Sequence, residues 1–185
     1  MLFRSADVIT SGLAPAVVMT QMLNLSLFHQ MQTMTDVFSM GGWNVGFKNY
    51  VPLFGLLIVV ASAYRLAKFN VDSRQTSGFI GLPTPANALL ILSLPLILDL
   101  QYSELAVAII LNKWFLLGLT LLSCYLLNAE ISLFALKFKT WDFRSNKIRY
   151  LFLIFSLVLL ILLQFLAFPL IILLYVLMSL IWGKR

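Results

Sequence analysis

Residues 65–87, RLAKFNVDSRQTSGFIGLPTPAN, form a polar, cationic stretch wedged between two long apolar runs, and this contrast constrains the fold more than any other feature. Apolar runs of this length, separated by short charged segments, suit a chain whose solvent is a bilayer. Composition agrees: 61% of residues are hydrophobic, 11% are charged, and the mean hydropathy is +0.96. A soluble core in a chain of 185 residues has no room for that much apolar surface. The reading is therefore an all-α, polytopic membrane helix bundle of about six transmembrane helices, one membrane domain over residues 1–185.

Six candidate spans follow from the runs: Ala6 to Phe28, Val51 to Ala67, Pro85 to Leu98, roughly Asn112 to Phe134, Tyr150 to Ala167, and Pro169 to Trp182. The first carries Ser, Thr, Gly and Pro, as expected of a helix packed inside the bundle. At the end of the second, Arg65 and Lys68 can lift their charges into the interface. The start of the fourth is open, because Leu105 to Leu111 is also apolar. The last two make a tight pair, with Pro169 breaking the run where a reversal is needed. The amino terminus, MLFRSADVITSG, has no continuous apolar core followed by a cleavage site, so the first span is expected to target itself.

Charge orients these spans. With Arg4 cytoplasmic, six crossings put Arg65, Lys68, Arg74, Lys137, Lys139, Arg144, Lys147, Arg149, Lys184 and Arg185 on the same side, and only Lys48 and Lys113 opposite. Eleven of the 13 Lys and Arg residues thus obey the positive-inside rule under one topology. The net charge of +6 is then an orientation signal and an attraction for anionic head groups, and it calls for no nucleic acid. Cys124, the only cysteine, lies in an apolar run and offers neither a disulfide nor a thiolate metal site within one chain.

Chemistry must then come from polar groups at the cytoplasmic surface. Asp7, at the start of the first span, suits a helix amino terminus and is either a cap or a carboxylate for a divalent cation or a base. Arg65, Lys68 and Asn70 are either interfacial anchors or ligands for phosphate or carboxylate. Gly81 to Asn87, GLPTPAN, combines a turn with helix entry: Thr84 can cap, and Pro85 fits the first helical position. Glu130 and Asn128 are either snorkelling groups or a pocket wall.

Four segments, SADVITSGLAPAVVM (Ser5 to Met19), RLAKFNVD (Arg65 to Asp72), GLPTPANA (Gly81 to Ala88) and LFALKFK (Leu133 to Lys139), resemble in order and spacing the phosphatidylserine synthase branch of the CDP-alcohol phosphatidyltransferase family. That family carries D-x-x-D-G-x-x-A-R, a spacer, then G-x-x-x-D-x-x-x-D on two adjacent membrane helices. Asp7 matches the last of the four aspartates, Phe3 stands where the third is expected, and the first two find no counterpart in the sequence. The resemblance therefore implies an amino-terminally shortened chain without the first two helices of the family.

It further implies transfer of a phosphatidyl group from CDP-diacylglycerol to L-serine, giving phosphatidylserine and CMP. Asp7 would be the base and the remnant of a Mg2+ or Mn2+ site, with Arg65, Lys68 and Asn70 as substrate-binding residues. The expected partners are CDP-diacylglycerol, L-serine, membrane lipids and a second copy of the chain, with no nucleic acid. The implied location is the bacterial inner membrane, active side cytoplasmic. Because most of the aspartate pattern is missing, these 185 residues alone are expected to be inactive. A sister enzyme using glycerol phosphate or inositol, and a non-catalytic membrane protein, remain as alternatives.

Overall fold

The computed structural model describes residues 6–29, 50–71, 79–133 and 146–182. Helix dominates. A helical start at Ala6 widens into a π-helical turn, Ile9–Leu13, and continues as α1, Ala14–His29. A 3-10 turn, Val51–Leu56, with Pro52 where no amide donor is needed, leads into α2, Leu57–Val71. Then come β1 (Phe79–Ile80), α3 (Thr84–Leu100), α4 (Glu104–Ile110), α5 (Lys113–Asn128), β2 (Ser132–Leu133), α6 (Lys147–Leu163), a 3-10 turn over Gln164–Leu166, and α7 (Ala167–Trp182). β1 and β2 pair antiparallel, Phe79 with Leu133 and Ile80 with Ser132.

By length and composition three stretches can cross a membrane: Ala6–Leu27, Val51–Phe69 and Lys147–Leu180. A fourth is added if α4 and α5 are taken as one span bent by 60°. The bend sits where Asn112 interrupts the apolar run and accepts a hydrogen bond from the Trp114 amide at 2.9 Å, so α5 has a capped start of its own. The fourth sequence span therefore begins at Lys113 and its helix ends at Asn128, short of Phe134, which lies outside the described residues. α3, at 17 residues, is about 25 Å long, shorter than a typical hydrocarbon core.

The stretch Lys147–Leu180 is folded back on itself. Phe152 and Tyr175 stack with ring centroids 5.7 Å apart, whereas 23 residues of straight helix would separate them by about 35 Å. The paired helices expected from sequence are present, but the reversal is at Gln164 (φ 47°, ψ −115°) and not at Pro169. Pro169 is the third residue of α7, inside a first turn whose amides have no helical acceptor in any case, so it neither breaks nor bends the run. Gln101, just past α3, clamps the reversal: its side-chain amide donates to the Leu163 carbonyl and accepts from the Leu166 amide, both at 3.1 Å.

Small residues set the crossing of the first two helical stretches. A β-carbon on Gly55 would come within 2.6 Å of the Thr20 amide nitrogen, and one on Gly12 within 3.1 Å of the Ser62 β-carbon. The pairs 12 with 62 and 20 with 55 run in opposite directions, so α1 and α2 are antiparallel at close range. Hydroxyls on these and neighbouring helices bond back to their own carbonyls, Thr20 to Ala16, Ser26 to Leu23, Ser93 to Leu90 and Thr120 to Leu116, which keeps them satisfied away from water. One core, with Met19, Leu23, Ile58, Ile91 and Leu116, lies among α1, α2, α3 and α5. A second, with Leu82, Leu126, Phe152, Tyr175 and Val176, joins the start of α3 and end of α5 to the α6–α7 hairpin. Only Phe152 and Ser156 of α6 are buried, so that hairpin is the bundle's outer flank.

Candidate functional site

The antiparallel register of α1 and α2 brings Asp7 and the far end of α2 to the same end of the bundle. The turn before α3, the end of α5 and the start of α6 gather there too. Of the five Lys and Arg side chains among the described residues, Arg65, Lys68, Lys147 and Arg149 are at this end, and Lys113 is at the other.

Arg65 is turned inward. It is 8% exposed, and its Nη2 donates to the Gly81 carbonyl at 3.3 Å. The second and third segments singled out in the sequence are thereby joined, RLAKFN to GLPTPA. Arg65 thus does not use the interface as its length allowed; its guanidinium faces the bundle interior, and among the described residues no carboxylate pairs with it and its Nε has no hydrogen-bond partner. Lys68, three residues on, takes the outer route and pairs with Glu130 at 3.2 Å. That pair is partly to largely exposed and contributes little to stability.

Gly81 explains the rigidity of the turn. Its φ is +75°, and a β-carbon there would lie 2.7 Å from the Leu127 carbonyl oxygen and 3.0 Å from that of Ala129. The Gly81 amide donates to Ile131 and the Leu82 amide to Leu126, both at 2.9 Å, so residues 79–82 lie along the end of α5 and β2. Thr84, expected as the cap of α3, is its first residue and is buried; the cap position is Pro83, in extended backbone, and no side chain caps the helix. Pro85 is one place further in, still within the turn that tolerates it.

Asp7 is exposed and makes no hydrogen bond or ion pair with Arg65, Lys68 or another described residue. Asn70 lies in the last turn of α2; its side chain, and Phe3, are outside the described residues. Among the described residues no three His, Cys, Asp or Glu side chains stand close enough together to hold a metal ion. Asp7 alone does not make a site for Mg2+ or Mn2+, which require several oxygen ligands.

What inspection of the sequence left unseparated, the structure divides. Asn128 points inward, its amide donating to the carbonyls of Ala61 at 3.4 Å and Cys124 at 3.1 Å, while Glu130 stays at the surface with Lys68. Asn87 of the GLPTPAN turn is fully buried, and neither atom of its amide has a partner among the described residues. Ser62, Ser123 and the Asn128 carbonyl oxygen are likewise buried and unpaired. Helices α2, α3 and α5 thus carry one buried cation and several neutral donors and acceptors near the Asp7 end. Such groups are costly to bury unmatched, and their chemistry suits an anionic ligand rich in oxygen. No signal in the sequence separates Asn87 or Ser123 from the helix residues beside them.

No family model, no curated protein and no solved structure matches this chain.

Proposed function

We propose that the chain is the carboxy-terminal part of a CDP-alcohol phosphatidyltransferase of the phosphatidylserine synthase type, all six sequence runs crossing a bacterial inner membrane with the Asp7 end cytoplasmic. The reading is carried by the resemblance of SADVITSGLAPAVVM, RLAKFNVD and GLPTPANA, and one observation supports it: these segments, far apart in sequence, meet at one end of the bundle. Gly12 of the first packs on Ser62 beside the second, and Arg65 of the second bonds to Gly81 of the third.

In this reading the seryl hydroxyl oxygen attacks the β-phosphorus of CDP-diacylglycerol, the bond from that phosphorus to CMP breaks, and Asp7 takes the hydroxyl proton. The Arg65 guanidinium, inward and with no carboxylate partner among the described residues, neutralises a substrate phosphate or carboxylate; Lys68 and Asn70 stand one turn nearer the end of α2 for the head group. The family's divalent ion, Mg2+ or Mn2+, finds only one of its four aspartates here. Transfer therefore needs the residues of D-x-x-D-G-x-x-A-R supplied ahead of Asp7, and a homodimer is one setting in which the bundle would work.

The test compares two forms in vesicles with CDP-diacylglycerol, labelled serine and magnesium or manganese. The 185-residue chain is expected to give no phosphatidylserine above an Asp7→Asn control. The chain extended by the two preceding family helices is expected to make phosphatidylserine, and no product with glycerol phosphate or inositol. Product from one of those alcohols would move the chain to the sister branch, and no product from any of them would overturn the reading.

A further inference from the structure

At the end opposite Asp7, α5 and the 3-10 turn before α2 enclose an apolar groove of about 340 Å3. One wall is Val51 and Phe54, three apart in a 3-10 turn and hence on one side of it. The other is Trp114, Leu117, Gly118 and Leu121, a stripe at helical spacing along α5, with Thr120 beside it. The stripe runs about 12 Å into the bundle from the end of the helix. Gly118 keeps the middle open: a β-carbon there would meet nothing within 4 Å. At the mouth, the Lys113 amine lies over the Trp114 ring, 5.7 Å from its centroid.

We propose that this groove binds one anionic phospholipid of the surrounding bilayer, its phosphate at Lys113 and one acyl chain along Gly118. Three features select this occupant. The lining is apolar along its depth apart from Thr120, whose hydroxyl is bonded to the Leu116 carbonyl, and among the described residues one cation, Lys113, stands by its mouth, the polarity order of a lipid standing in a leaflet. Trp114 and Lys113 are the residue types that mark the head-group level. A helix from another chain is the poorer fit, since helices meet across small residues and here Phe54, Trp114 and Leu121 stand out around one glycine. By contrast, α6 is as exposed to lipid but is a convex helix with its large side chains outward, and it serves as the internal reference.

The probe is phosphatidylglycerol carrying a photoactivatable diazirine on one acyl chain, incorporated into phosphatidylcholine vesicles with the full chain, and adducts are located by mass spectrometry. The peptide spanning Trp114 to Leu121 is expected to be labelled several-fold above that spanning Ile154 to Leu162. Gly118→Leu, which adds bulk where nothing stands in the way, is expected to cut the first yield several-fold and leave the second unchanged. Lys113→Glu should lower it about fivefold for the anionic probe and far less for a phosphatidylcholine probe. Gly118→Ala, with wild-type melting, should stay near wild type and guard against misfolding as the cause. Equal yields on the two helices, or no response to Gly118→Leu, would reduce the groove to ordinary annular contact and overturn the proposal. A disulfide between copies through Leu121→Cys would give the groove to a second chain and do the same.

Discussion

Gly81 and Arg65 hold opposite ends of one hydrogen bond, and each makes a demand that a different side chain could not meet. At Gly81 the backbone is left-handed and the carbonyls of Leu127 and Ala129 press on the α-carbon. Gly81→Ala should therefore cost about 1–3 kcal/mol from the backbone conformation alone, more with the clash, and lower the thermal unfolding midpoint in detergent. An unchanged midpoint would mean the turn is built differently. Arg65 is the chemical half of the pair. In the proposed enzyme, completed by the preceding family helices, Arg65→Ala is expected to lower activity far more than Arg149→Ala, because Arg65 faces the interior with no carboxylate partner among the described residues while Arg149 bonds to Asn146 at the start of α6. Similar losses at the two positions would take Arg65 out of the substrate site. The same substitution should leave the fold largely standing, since relief of the desolvation cost of a buried charge offsets the loss of its hydrogen bond to the Gly81 carbonyl.

The α6–α7 hairpin depends on one side chain from another element. Gln101 offers an amide of the same shape as a peptide group, and it bonds to both the Leu163 carbonyl and the Leu166 amide, on either side of the reversal at Gln164. In Gln101→Leu both groups would lose that side-chain partner and keep only the 3-10 turn's own bonding. A loss of about 1–2 kcal/mol is expected, with faster hydrogen exchange confined to residues around Gln164. Exchange spreading evenly through α1 and α2 would show that the clamp is not local. The hairpin packs through Phe152 and Tyr175 on the end of α5 and the start of α3, so Gln101 at the far end of α3 and this core at its start hold the hairpin to the bundle at two places.

At the scale of the molecule, the cationic end is expected to be cytoplasmic, with the amino and carboxyl termini on that side. Arg74→Cys or Arg144→Cys, in segments outside the described residues, should resist a membrane-impermeant thiol reagent added to intact cells, whereas Lys113→Cys should react. Labelling at 74 or 144 from outside would invert the topology and with it the proposed cytoplasmic chemistry.

The sequence by itself determined the apolar character of the chain, the runs that become helices and the charged end, because hydropathy and the placement of Lys and Arg are sums over residues that need no partner. Its punctuation was legible where it acts locally: Gly81 marks the turn, and Pro85 lies in the first turn of α3. Tertiary structure alone decided that Arg65 turns inward while Lys68 turns out, that Asn128 and Glu130 part company, and that the last reversal is at Gln164. The reason is that lipid and protein interior are equally apolar, so the pattern along a membrane helix does not record which face is buried. Which face is buried is fixed by contacts such as Gly55 on Thr20 and Gln101 across the hairpin, made between residues that are remote in the chain.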